Sequence, residues 1–224
     1  MISRELIYPT PNWPSLVLKS KPVILDIGAN DGGTSKVFQH LFPEGFVYAF
    51  EPDPRAILHC KHRLISGDID GARFELFEGA VCDICGEAEF FLSDGVDPNF
   101  KWYESGYDLS GSLLKPISET PFGIPTIYFR DKIQVKTITL DSWAKDKPLE
   151  FVDILWMDVQ GAEARVLAGA KETIKKVDFI YLECEEKKTY ESQPDLQDIR
   201  SMLSEFDLLI SYDDGNHLFK RISS

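Results

Sequence analysis

Short runs of β-branched, aromatic and aliphatic residues recur along the chain, each closed by a polar or glycine-containing turn. Val23 to Ile27, Phe46 to Phe50, Arg73 to Phe77, Val152 to Met157 and Val177 to Leu182 have the near-continuous apolar character of strands covered on both faces. Between most of them the apolar period lengthens to that of a helix. Thr34 to Phe42 carries Val37, Phe38, Leu41 and Phe42 on one face. Asp53 and Pro54 read as an N-cap and first helical position, with Ile57, Leu58 and Leu64 behind them. Ala162 to Ile174 places Val166, Leu167, Ala170 and Ile174 on one side, and Pro194 to Phe206 does the same with Leu196, Ile199, Leu203 and Phe206. Strands alternating with helices at this interval predict an α/β fold, a mostly parallel sheet with helices on both faces.

The pattern changes twice. At the end of the chain, "FDLLISYDDGNHLFKRI" reads as a strand, a turn at Asp213 to Asn216 and a second strand, an antiparallel hairpin added to the sheet. In the middle, Glu87 to Leu92 and Ile133 to Leu140 look like further strands, while Ser93 to Arg130 between them has little periodicity but many aromatic residues, among them Trp102, Tyr103, Tyr107 and Phe122. A loop of that length inside a compact domain is usually functional, and its aromatic content argues against simple disorder. Residues 1–224 are therefore read as one domain with a candidate lid at 93–131.

Composition narrows the partners. The 224 residues are 43% hydrophobic and 27% charged, ordinary for a globular protein, but 37 acidic against 24 basic residues leave a net charge of −13. That charge opposes generic binding to nucleic acid or to an anionic membrane surface. No stretch approaches the roughly 20 apolar residues of a membrane span. The first residues hold prolines and charges where a signal peptide needs an apolar segment, so the expected location is cytoplasmic. Cys82 and Cys85 form a lone C-x-x-C pair. With His59 or His62 it could be imagined as a zinc site, but reduced thiols are the simpler reading and no metal is assigned.

The chemistry gathers at strand ends. In an open parallel sheet ligands sit beyond the carboxyl ends of the strands. "LDIGANDGG", Leu25 to Gly33, therefore puts Asp26, Gly28, Asn30, Asp31 and Gly32 at the expected pocket. Glycine-rich turns of this kind usually hold a dinucleotide pyrophosphate, yet Asn30 stands where the second glycine of that fingerprint belongs. The two carboxylates would repel phosphates, whereas they would attract a ligand with an ammonium and a sulfonium, such as S-adenosylmethionine. "YAFEP" places Glu51 at the next strand end, about twenty positions beyond Gly28, the spacing at which an acidic side chain accepts ribose hydroxyls. After the third strand, Gly79, Ala80 and Val81 offer a wall for adenine, and Asp83 a partner for its amine.

Taken in order, "LDIGANDGG", "YAFEPDP", "FEGAVCDICGEAEFF", "DLSGSLL", "VKTITLDSW" and "VDILWMDVQGAEARVLAGA" resemble the FkbM family of S-adenosylmethionine-dependent methyltransferases over Val23 to Glu183. The resemblance implies a class I methyltransferase (Rossmann-like) fold, a seven-stranded sheet with one antiparallel strand, and methyl transfer to oxygen, commonly a hydroxyl of a sugar or natural product. Ser110, Gly111 and Ser112 match the family's glycine and serine stretch, near the donor carboxylate or the acceptor. One departure stands out: the family usually has an acidic residue before glycine in "DVEG", and here Gln160 precedes Gly161.

An alcohol acceptor must lose a proton as its oxygen attacks carbon, which calls for a base. Asp158, at the end of "DILWMD", is the first choice for that role or for orienting the acceptor. Glu163, one turn into the next helix, is the second, and Glu183 and Glu185 complete an acidic cup. Trp102, Tyr103 and Tyr107 could stack on an apolar sugar face. The acceptor class is thus a small molecule or a glycan. Two other readings compete: a short-chain NAD(P)-dependent oxidoreductase, for which Tyr128 and Lys132 supply a Tyr-x-x-x-Lys string, and a non-catalytic methyltransferase-like binding module.

Overall fold

The structure, a computed structural model, describes residues 10–96, 106–123, 126–147 and 149–222. In chain order its elements are α1 (Trp13–Leu16), β1 (Val23–Ile27), α2 (Gly33–Leu41), β2 (Phe46–Glu51), α3 (Pro54–Ser66), β3 (Phe74–Glu78), β4 (Ala80–Val81) and β5 (Gly86–Gly95). They continue with β6 (Ile127–Ile138), α4 (Leu140–Ala144), β7 (Val152–Met157), α5 (Glu163–Ala168), β8 (Val177–Glu183), α6 (Leu196–Met202), β9 (Phe206–Ser211) and β10 (Asn216–Arg221).

Seven strands form one sheet in the order β3-β2-β1-β7-β8-β10-β9. The first five are mutually parallel, and β10 runs antiparallel to both β8 and β9, so the terminal hairpin closes the sheet as its sequence pattern predicts. Strand order reverses between β1 and β7, so the loops leaving these two neighbours open a crevice at the carboxyl edge. Period-two alternation divides the core between the faces. Leu25, Ile27, Leu155 and Met157 join one cluster with Val166, Leu167 and Ile199, whereas Ile24, Ile154 and Trp156 join the other with Trp13 and Phe38. On that second face the Trp156 and Tyr181 rings stack 4.1 Å apart, and Trp13 packs edge-on against Phe179 and Tyr181.

The structure departs from the sequence reading in several places, among them the helix expected over Pro194 to Phe206, which closes at Met202 so that Phe206 opens β9. Helix α5 stops at Ala168, well short of Ile174, because the chain packs there against the turn after β4: a Cβ on Gly169 would lie 2.1 Å from the Cys82 carbonyl oxygen. Asp141 then takes the amides of Glu172 and Thr173, which lead into a single 3₁₀ turn. Leu58 is exposed, while Ile57 and Cys60 supply the buried face of α3. Finally, β4, β6 and β5 make a second, three-stranded sheet whose long β5–β6 arms absorb Ser93 to Gly95 and Ile127 to Arg130, both ends of the expected lid. Leu140 belongs to α4, where the Thr139 hydroxyl accepts from the Ser142 amide at 3.1 Å.

Candidate active site

The crevice between the β1 and β7 loops opens into a cavity of about 1130 Å³, lined by Gly28, Asn30, Asp31, Glu51, Ala80, Val81, Phe90, Asp108, Leu109, Gly111, Leu113, Asp158 and Gln160 among others. Left-handed backbone shapes both loops: Gly28 has φ 84° and Asn30 φ 48°, Gln160 φ 53° and Gly161 φ 90°. Gly28 is needed on space as well as angle, since a Cβ there would lie 1.9 Å from the Asp158 carbonyl oxygen. The Asp158 amide in turn donates to the Ile27 carbonyl at 2.9 Å, fastening the two strand ends together.

Glu51 is the best-organised carboxylate in the cavity. It is buried at the end of β2 and accepts from the Asn30 amide at 2.8 Å on one oxygen and the Asp53 amide at 2.7 Å on the other. Each oxygen keeps a lone pair for a further donor. Burial pushes its pKa up to about 8 in spite of those two bonds. The Asn30 side chain donates to the Asp108 carbonyl at 3.1 Å, linking the glycine loop to the "DLSGSLL" stretch. Asp31 pairs with Arg63 at 2.8 Å and accepts from the Gly33 amide at 3.0 Å.

Three expected donor-site residues lie off the cavity wall. Asp26 is fully buried beneath the loop and accepts from the Ser35 hydroxyl at 2.5 Å, with burial pushing its pKa up to about 7. Gly32 faces Ile69 and Cys60, and a Cβ there would lie 2.7 Å from the Ile69 methyl. Asp83 turns outward to Arg165 at 2.8 Å, a partner that spacing along the chain could not reveal.

Behind the first cavity, and sharing Leu109 and Gln160 with it, lies a second of about 980 Å³ lined by Tyr107, Ser110, Phe122, Glu183, Glu185, Tyr190 and Asp214 among others. Asp158 lines the first cavity, beside the shared Gln160. Its carboxyl is raised by burial and eased by a 2.7 Å bond from the Gln160 amide; the same nitrogen donates to Glu183 at 3.0 Å. Glu183 is raised well above the usual carboxylate range by burial and by Asp158 beside it. Glu163 lines neither cavity. It is buried under the loop, accepts from the Gly161 amide at 3.3 Å and is pushed up to about 8 by burial, so it supports the loop rather than facing a ligand.

The serines divide. Ser110 lines the second cavity, with its hydroxyl 3.1 Å from that of Tyr107 and its carbonyl accepting from Tyr190 at 2.6 Å. Ser112 lines neither; its hydroxyl donates to the Gln160 carbonyl at 2.8 Å and pins the segment onto the β7 loop. Trp102 and Tyr103 lie outside the described residues. His217 is buried between the Ser211 hydroxyl and the Cys184 carbonyl, at 2.8 and 3.2 Å. Tyr128 and Lys132 sit on β6, a strand, so they do not form the helical pair that an oxidoreductase would use. Among the described residues, no group of three or more His, Cys, Asp or Glu is arranged to hold a metal.

Asp108, Phe90 and Leu113 were not singled out in the sequence, although Asp108 opens the "DLSGSLL" stretch and Phe90 belongs to "FEGAVCDICGEAEFF". Tyr190 and Asp214 carry no signal of their own, being brought in by loops after β8 and β9. The first cavity's chemistry is one-sided: Asp31, Glu51, Asp108 and Asp158 line it, and among the described lining residues there is no Lys, Arg or His. Such a wall fits a cationic ligand with hydroxyl donors and opposes a pyrophosphate.

A family model described as the Methyltransferase FkbM domain matches residues 26–209. The 2-O-methyltransferase NoeI of Sinorhizobium fredii is 41% identical over 204 residues, covering 90% of this chain and 79% of that protein. Among solved structures, Methyltransferase FkbM from Methylobacillus flagellatus KT superposes with a TM-score of 0.54 at 14% identity over 90% of this chain; the match spans 44% of that chain's length. Precorrin-6y C5,15-methyltransferase from Geobacter metallireducens GS-15 gives a TM-score of 0.45 at 13% identity, over 93% of this chain and 84% of that one.

Proposed function

The chain belongs to the FkbM methyltransferase family, and from that premise we propose that it transfers a methyl group from S-adenosylmethionine, held in the first cavity, to a hydroxyl of a sugar or small metabolite entering through the second. The observation that carries the reading is the cavity wall, with four carboxylates and, among its described residues, no basic side chain. The cofactor supplies a methyl group on a cationic sulfur. Glu51 accepts the ribose hydroxyls, and Ala80, Val81, Phe90 and Leu113 give adenine an apolar wall. Gly28, Asn30 and Asp31 shape the loop against the methionine part. Asp158 takes the acceptor's proton where the cavities meet, while Ser110, Tyr107 and Tyr190 orient the acceptor, with Trp102 a further candidate for the lid. The name of the 41%-identical relative, a 2-O-methyltransferase, supports oxygen as the accepting atom.

Calorimetric titration with S-adenosylmethionine, S-adenosylhomocysteine and NAD(H) tests this. Both adenosyl ligands should bind and NAD(H) should not. Glu51→Gln should weaken both by about tenfold or more, the worth of hydrogen bonds to a charged acceptor. Binding of NAD(H), or equal affinity in the variant, would overturn the assignment.

A further inference from the structure

Building on that reading, we propose that Gln160 is a positioning residue whose side-chain amide clamps Asp158 and Glu183 into one proton-sharing pair at the junction of the two cavities. One nitrogen carries two hydrogens, and both are committed: 2.7 Å to Asp158 Oδ1 at the end of β7 and 3.0 Å to Glu183 Oε2 at the end of β8, its parallel neighbour. The amide is held the right way round. Its oxygen faces away from the carboxylates, 3.3 Å from a Tyr190 hydroxyl whose hydrogen goes to the Ser110 carbonyl, and turning the group over would set that oxygen against both carboxylates. The backbone is held as well, with φ 53° and the carbonyl bonded by Ser112.

A glutamate here would replace this bridge by a third negative group. The mutual repulsion of the two carboxylates keeps one proton on the pair, and the shared donor favours the single negative charge that remains. In the reaction, the acceptor hydroxyl's proton passes to the pair as its oxygen bonds to the methyl carbon. The carbon–sulfur bond breaks with its electron pair remaining on sulfur, and the proton later leaves the pair for solvent. The groups acting on the pair are Asp26, Glu163, Glu185, Asp214, Tyr181 and Tyr190. Lys187 acts on Glu185, and Tyr107 on Tyr190. Among these the Gln160 amide is the group that donates to both carboxylates.

Carbon-13 NMR titration of the side-chain carboxyls, with S-adenosylhomocysteine present, tests the clamp without an identified acceptor. In the wild type, Asp158 and Glu183 should each show two inflections at common pH values. Gln160→Met, which keeps the volume and removes the donor, should raise the lower inflection by at least one pH unit, and Gln160→Glu should raise it further. Glu183→Gln should leave Asp158 a single inflection. Thermal melts confirm that each variant is folded, and the Met and Glu183 variants decide the matter if the Glu variant is not. Independent titration of the two groups, or a lower inflection unmoved in Gln160→Met, would overturn the proposal. Neither result bears on donor binding, which calorimetry judges separately.

Discussion

Glu51 is asked to be two things at once: buried in the free protein and an acceptor for a ligand's hydroxyls. With its pKa pushed up to about 8, it is mostly protonated at pH 7. A diol donating hydrogen bonds and a cation nearby both favour the ionised form. Donor binding should therefore release up to one proton from Glu51 at pH 7, and affinity should rise with pH until about 8 and then level off. Calorimetry at pH 7 in two buffers of different ionisation enthalpy reads this directly. The apparent enthalpies should differ in the wild type by more than in Glu51→Gln; equal differences would mean that Glu51 is already ionised before the ligand arrives.

The β1 and β7 loops act as one element, because the Gly28 turn lies directly against the Asp158 carbonyl. Gly28→Ala meets both a left-handed φ and a backbone clash, whereas Gly67→Ala meets only the φ of 76°, with nothing within 4 Å of the added carbon. In urea denaturation Gly67→Ala should cost about 1 kcal/mol and leave donor affinity unchanged. Gly28→Ala should cost more than about 2 kcal/mol and abolish binding, since the loop has to move. Equal costs in the two variants would contradict the close approach. Elements of this kind were legible to different degrees. The inner strands announced themselves to within a residue or two, because strands buried on both faces leave an unbroken apolar run. The end of α5 did not, since Gly169 stops it by packing on Cys82, a contact between distant segments. Gly28, Asn30, Glu51, Ala80 and Asp158 fell together because the strand-end rule depends only on order along the chain. Asp83 and Ser112 were misdirected by partners far away in sequence, Arg165 and the Gln160 carbonyl.

Across the whole molecule, burial raises a set of carboxyls, Asp26 to about 7, Glu51 and Glu163 to about 8, and Asp158, Glu183 and Glu185 with them. The unfolded chain gives up these protons near pH 4, while the folded protein keeps them. The contribution of these groups to stability should therefore fall as pH rises from about 4 through about 8. Glu163→Gln removes one of them: its Tm should lie close to the wild type near pH 5 and exceed it by on the order of 10 °C at pH 9. A constant offset across that range would mean that Glu163 does not titrate with folding. The acidic wall of the first cavity has one more effect under the proposed function, and it falls at the end of the cycle. Methyl transfer turns the sulfonium into an uncharged thioether, so the attraction that drew the donor in vanishes at the moment of reaction. Spent cofactor is then held by its ribose, adenine and remaining charges alone, and turnover is helped by the exit of a molecule the wall grips less.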